Sequence, residues 1–173
     1  MLAQAHHLLL QVYRRLPVSA RRQVVRVVAP TFSVGAICLI ERADGAVLLV
    51  RHSYRRRWGT PGGLLARGET AVDGAKREVR EEVGLEVEMV GEPAVVVDPE
   101  PRRVDLVYRC RPAPGSDTDA VTPGSPEIVE ARWFAVSALP ELQPETAGAV
   151  RALARAALSP PAIPLLRTAD ERH

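Results

Sequence analysis

Cysteine is scarce in this chain of 173 residues, with only Cys38 and Cys110, each in an apolar run without a partner motif. That argues against a disulfide framework or a thiolate zinc site and favours buried, reduced thiols in a cytoplasmic protein. Long apolar runs are missing as well, so nothing approaches the length of a membrane span. The short Leu8–Leu10 run precedes its arginines and has no small-residue cleavage site after it, which does not fit a secretory signal. Net charge is only +2, too small for its balance to imply nucleic-acid binding, although the sequence pI is about 8.8. Lysine is nearly absent: Lys76 is the only one, and the other basic residues are arginine. There is no internal repeat and no low-complexity tract. What remains, at 46% hydrophobic and 25% charged residues, suits one compact domain with a sizeable core.

The most informative stretch runs from Gly63 to Leu85, GLLARGETAVDGAKREVREEVGL. Thr70 with Asp73 reads as a capping box and Gly84 as a left-handed stop, which predicts a helix over 71–83. At about 100° per residue, Val72, Ala75, Val79 and Val83 share one stripe. Glu82, Glu78 and Glu81 follow one another along its flank, and Lys76, Arg80 and Arg77 line the other. Like charges at such spacing cost a helix roughly 0.2–0.5 kcal/mol per pair. A divalent cation would offset that repulsion; the bland alternative is a solvated acidic face.

These residues fill every specified position of G-x5-E-x7-R-E-U-x-E-E-x-G-U, with U aliphatic: Gly63, Glu69, Arg77, Glu78, Val79, Glu81, Glu82, Gly84 and Leu85. The segment thereby resembles the signature of the Nudix hydrolases. That resemblance implies an α/β class fold, an α/β/α sandwich with a mixed sheet. It implies an enzyme, a Nudix pyrophosphohydrolase, that cleaves the diphosphate linkage of a small-molecule nucleoside diphosphate derivative: a nucleoside triphosphate, ADP-ribose or a sugar nucleotide. By similarity to the family, Glu78 and Glu82 are the central metal ligands, Glu81 adds a third carboxylate, and a backbone carbonyl of Gly62 or Gly63 lies close by. Glu69 and Arg77 form the salt bridge that ties loop to helix and sets carboxylate orientation. The general base is either Glu78 or Glu127, the latter resembling the loop glutamate some members use; Glu130 reads as a surface residue. An all-oxygen ligand set fits Mg²⁺ first and Mn²⁺ second. Two alternatives in other functional classes are a non-catalytic Nudix module that senses nucleotides and an isoprenoid diphosphate isomerase.

Arg51, Arg55, Arg56 and Arg57 cluster ahead of the Pro61-Gly62-Gly63 turn, and bidentate phosphate contacts suit arginine. Arg51, Arg55 and Arg57, with Tyr54 for stacking on a base or ribose, are the candidate substrate-binding residues. Trp58 reads as packing beneath the turn, and His52 as a hydrogen-bonded histidine at a strand end.

Elsewhere, helical spacing of Leu2, Ala5, Leu9, Val12, Tyr13 and Leu16, broken by Pro17, predicts a helical hairpin over 1–30, with Ser19 capping its second helix. Packing on the domain or in a homodimer accounts for it better than an anionic membrane, and no stable membrane anchoring is expected. The catalytic domain should occupy 31–159. Within it, Ser33–Glu41 and Ala46–Arg51 read as a hairpin around Asp44-Gly45. Strands follow in 85–97, 104–111 and 128–136, with a loop over 112–126. A last helix over 144–158 should bury Val150, Leu153, Ala154 and Ala157, and an irregular tail occupies 160–173.

Overall fold

The computed structural model describes residues 11, 13–29 and 31–158; the greater part of the first helix of the expected hairpin and the tail over 160–173 lie outside the described residues. Contacts divide the chain into two units, Met1–Phe32 and Ser33–His173. In the first unit, helix α1 spans Val18–Val28. Its N-cap is Pro17, without a side-chain cap, so Ser19 sits inside the helix instead of capping it. Proline serves at that position because the first helical N–H groups have no intrahelical partner to lose.

Among its described residues, the second unit holds seven strands and two α-helices. Strands β1 (Ser33–Ile40), β3 (Gly62–Leu64), β4 (Val87–Met89), β5 (Ala94–Asp98) and β6 (Arg103–Pro112) make a five-stranded sheet. It is mixed: β1 runs parallel to β6, whereas β3, β4 and β5 pair antiparallel to their neighbours. Strands β2 (Ala46–His52) and β7 (Ile128–Ala135) form a separate antiparallel pair. Helix α2 spans Ala71–Val83 and α3 spans Pro144–Leu158.

Alternation along the strands builds two cores. Ala36, Cys38 and Ile40 of β1 and Tyr108 and Cys110 of β6 face α2, where Ala75, Val79 and Val83 meet them. The intervening Ile37 and Val107 point the other way and pack with Ala94, Ala149 and Leu153 against α3. A period of two on the strands thus places a helix over each face of the sheet, the α/β/α layering expected from the resemblance. Burying each such valine contributes about 1.5–3 kcal/mol. Both cysteines are buried and unbridged.

Four expectations change in detail. Asp44-Gly45 does make a turn, with Gly45 at φ 82°, but β1 and β2 share only the bridge Glu41 to Val47, because β2 completes its hydrogen bonds with β7. The segment over 85–97 splits into β4 and β5 around Gly91, whose φ of 71° turns the chain. Helix α3 buries Thr146 and Ala149; Ala154 and Ala157 are exposed. In α2, Val72 is likewise 37% exposed, and the buried stripe includes Glu82.

Candidate active site

The acidic edge of α2 forms one wall of an open cavity of about 570 Å³. Glu78, Glu81 and Glu82 line it with Gly62 and Gly63 of β3. Helix α2 is fixed at its start by Thr70, whose hydroxyl accepts from the Asp73 N–H at 3.2 Å. Asp73 answers by accepting from that hydroxyl at 2.6 Å. The helix ends at Gly84, φ 69°. These two ends set the phase of the helix, and so which residues reach the cavity.

Glu82 is only 8% exposed. Its Oε2 accepts from the Gly62 N–H at 3.2 Å, and its Oε1 lies 3.8 Å from His52 Nε2. Glu78 faces the Gly63 backbone so closely that a Cβ at 63 would fall 2.4 Å from its Oε1. Burial raises the pKa of Glu78, the Arg77 guanidinium opposes that rise, and Glu82 and Glu81 add to it.

Arg77 is the cation of this wall. Its Nε and Nη2 donate to Glu69 at 2.8 and 3.0 Å, and Nη2 also donates to the Leu64 carbonyl at 3.2 Å. Its Nη1 reaches Glu78 at 2.8 Å and Glu81 at 3.1 Å. Among the described residues the acidic and histidine side chains do not converge as a group of three or more: the guanidinium holds Glu78 and Glu81, while the Gly62 N–H holds Glu82. The donor set still fits a hard divalent cation. It is all oxygen, one carboxylate is nearly sealed from water, and Gly63 leaves the space beside Glu78 that a side chain would fill.

The Arg77 bond and the Ala66 N–H hold the Glu69 carboxyl at about 2. This folded value lies below the ordinary 4.5, so the stability the pair contributes is complete above the ordinary value and is lost as pH falls toward about 2. The melting temperature of Glu69→Gln should therefore lie below that of the native protein at neutral pH, with the gap closing as the solution is acidified through that window. A gap that persists unchanged into strong acid would remove this role from the pair.

The structure sorts the expected substrate-binding residues. Arg55 and Tyr54 line the cavity, as does Glu127. Tyr54 is 65% exposed, stands 5.3 Å from the His52 ring and has the Arg55 guanidinium 5.9 Å over its face. Arg51 is drawn aside on β2, where Glu130 accepts from it at 2.8 and 3.0 Å. Arg57 pairs with Glu141 at 2.7 Å and borders an adjoining groove. Trp58 packs edge-on against Phe134 at 4.8 Å.

Other cavity residues carry no local signal. Gln143 and Thr146 come from the start of α3, and Arg103 from β6. Gln143 Nε2 donates to the Arg57 carbonyl at 3.1 Å and lies 3.5 Å from His52 Nδ1. Thr146 Oγ1 accepts from the Thr60 N–H at 3.3 Å. The separations along the chain, 86 to 91 residues, explain why no window of sequence could pair them.

Comparison with known proteins gives a concordant picture. A family model described as the NUDIX domain matches residues 31–156. A MutT-like protein of Streptomyces ambofaciens is 35% identical over 115 residues, 64% of this chain and 75% of its own. The NAD-capped RNA hydrolase NudC of Pseudomonas fluorescens is 36% identical over 115 residues, 65% of this chain, of whose length only 40% is matched. The crystal structure of a NUDIX hydrolase from Nitrosomonas europaea superposes with a TM-score of 0.62 at 28% identity, over 70% of this chain and 69% of that one. No helix among the described residues is long and apolar enough to cross a membrane.

Proposed function

The chain is a pyrophosphohydrolase of the NUDIX family, and we propose that it uses Mg²⁺ to hydrolyse the diphosphate linkage of a nucleoside diphosphate derivative. The observation that carries this reading is the wall itself: Glu78, Glu81 and Glu82 line one cavity with the Gly62–Gly63 backbone, and that cavity also holds arginines. Enzymes of the family use divalent metals, and oxygen donors without thiolate favour Mg²⁺, with Mn²⁺ as substitute.

Glu78 and Glu82 would hold the cation, with Glu81 as a third carboxylate and the Gly62 or Gly63 carbonyl beside them. Such a cation, when bound, neutralises phosphoryl oxygens, acidifies the attacking water and stabilises the leaving phosphate. The chain supplies the rest. Arg77, fixed by Glu69 and the Leu64 carbonyl, holds Glu78 and Glu81 in place and offsets their mutual repulsion. Glu82 is oriented by the Gly62 N–H on one side and His52 on the other. Arg55 grips a phosphate oxygen, and Tyr54 offers a face to a base or ribose.

Glu127 takes the proton from the attacking water. It lines the cavity on the β6–β7 loop and is exposed, and that loop is tied to the end of β2 by the Ser53 N–H donating to the Glu127 carbonyl at 2.8 Å. Glu78, the competing base, already accepts from Arg77. General-base catalysis contributes about 10²–10⁴-fold, so Glu127→Gln should lower kcat by roughly a hundredfold or more with little change in KM. Glu130→Gln, whose carboxylate pairs with Arg51 and Arg132, should leave kcat within about twofold. A native rate in Glu127→Gln transfers the role to Glu78.

The reading as a whole is tested by a screen across nucleoside triphosphates, ADP-ribose, sugar nucleotides, NADH and dinucleoside polyphosphates, each with and without Mg²⁺. Metal-dependent release of a phosphate or mononucleotide is the expected result. Binding without turnover of any of them would replace it with a nucleotide-sensing module.

A further inference from the structure

We infer that Arg103 is a phosphate-binding residue of this cavity, preset for the task by the buried carboxylate of Asp105 and by the absence of a side chain at Gly35. The inference rests on the preceding reading that the cavity takes a diphosphate and names a group that would grip it.

Arg103 and Asp105 sit two residues apart on β6, on the same side of the strand. Asp105 is 7% exposed, a burial that a carboxylate tolerates only when paired. Its pairing is specific: Arg103 Nε donates to both oxygens, at 2.8 and 2.9 Å. Fastening the guanidinium by Nε leaves its two terminal nitrogens for another anion, and the residue lines the cavity. Bidentate grip on phosphate is what that edge of the fork provides.

Gly35, paired with Asp105 across the parallel β1–β6 register, is what admits the arrangement. A Cβ there would fall 2.3 Å from Asp105 Oδ1, 2.8 Å from Arg103 Nη2 and 3.1 Å from the Gly63 carbonyl oxygen. The guanidinium therefore lies over the bare backbone of β1, beside the same β3 carbonyls that border the acidic wall. A glycine, a sealed aspartate and a tethered arginine from two strands do more than a solvated surface pair requires. The other cavity arginine, Arg55, is engaged by Glu145 at 2.9 Å, and Arg103 also acts on Glu145 through space, adding to the pull by which Arg55 offsets burial and keeps that carboxylate below its ordinary range. A carboxylate paired with one arginine and drawn on by a second marks a place where a phosphoryl group is at home.

Steady-state kinetics on Arg103→Ala, Arg103→Lys and Arg111→Ala test this, using ADP-ribose and the nucleoside triphosphates in Mg²⁺. Losing a charge-assisted contact to phosphate should raise KM roughly ten- to hundredfold in Arg103→Ala, with kcat altered far less. Lysine restores the charge but not the fork and should fall between. Arg111→Ala, on the same strand but paired with Glu88 at 2.8 Å, should match the native protein. Native KM in Arg103→Ala overturns the inference while leaving the hydrolase reading intact. If the native protein turns over none of the compounds in the wider screen described above, the hydrolase reading fails and the subsite is judged by calorimetric titration with inorganic diphosphate. Binding at least tenfold weaker in Arg103→Ala supports it, and equal binding overturns it. Melting curves on each variant separate these outcomes from loss of fold, since Arg103 is 35% exposed at its side chain.

Discussion

Glu82→Gln is expected to abolish most turnover, lowering kcat by roughly 10²–10³-fold, the scale seen when one preorganised electrostatic contact to the reacting centre is removed. The substitution keeps the shape of the side chain, and the glutamine oxygen can still accept from the Gly62 N–H that Glu82 engages at 3.2 Å. The fold should therefore survive. It should even gain slightly in the absence of metal, because one of three crowded carboxylates is gone and like charges at helical spacing cost roughly 0.2–0.5 kcal/mol per pair. The second readout is thermal. Mg²⁺ that binds the folded state stabilises it by mass action, so the native protein should melt higher with Mg²⁺ than without, and Glu82→Gln should lose most of that increment. A folded Glu82→Gln protein with native kcat and a native response to Mg²⁺ would remove Glu82 from the metal site.

Gly62→Ala should be the most damaging small substitution in the domain. Gly62 has φ 149°, where an L side chain is strained. The Cβ would fall 2.3 Å from the Ala36 carbonyl oxygen and 2.8 Å from the Ile37 Cα. Both are backbone of β1, the strand against which β3 is hydrogen-bonded, so neither can yield without opening the sheet. Backbone strain and overpacking each cost about 1–3 kcal/mol, and a total of about 3 kcal/mol would lower the melting temperature by roughly 6–12 °C in a domain of this size. Activity should fall with it, because the Gly62 N–H is the donor that orients Glu82. Gly63→Ala separates the two effects. Its Cβ would meet Glu78 Oε1 at 2.4 Å, a side-chain end that can swing away, so turnover should drop while the melting temperature changes much less. Equal melting of Gly62→Ala and the native protein would show that β3 does not lie on β1 as described.

Sequence made the limits of the acidic helix legible because its caps are local, although the buried stripe takes in Glu82 and leaves Val72 exposed. The Thr70 cap, the left-handed Gly84 and the 3.6-residue period specify start, stop and phase within one window, and the helix runs over Ala71–Val83. Glu69 could be paired with Arg77 from the resemblance alone, and the structure places them at 2.8 Å. The limits of α3 were equally readable, but its buried face was not, since several small apolar residues compete for that face and only the sheet beneath selects Ala149 and Leu153. Asp44-Gly45 misled about pairing for a related reason. A turn dipeptide reverses the chain, but it cannot choose between the strand next in sequence and β7, whose Ile128 lies opposite His52.

The arginines show the same division. Four cluster between 51 and 57, yet Glu130 draws Arg51 aside, Glu141 draws Arg57 and Arg56 borders the adjoining groove, leaving Arg55 in the cavity. Arg103, remote in sequence and without a motif, joins it through the parallel pairing of β6 with β1.

The chain alone thus determined which helix carries the carboxylates and where that helix starts and stops, since these follow from charge, capping and period within about twenty residues. Which arginines, amide and imidazole close around that helix was decided only by tertiary structure, because strand pairing and ion-pair competition between residues up to 91 positions apart select one partner among several that sequence leaves equivalent.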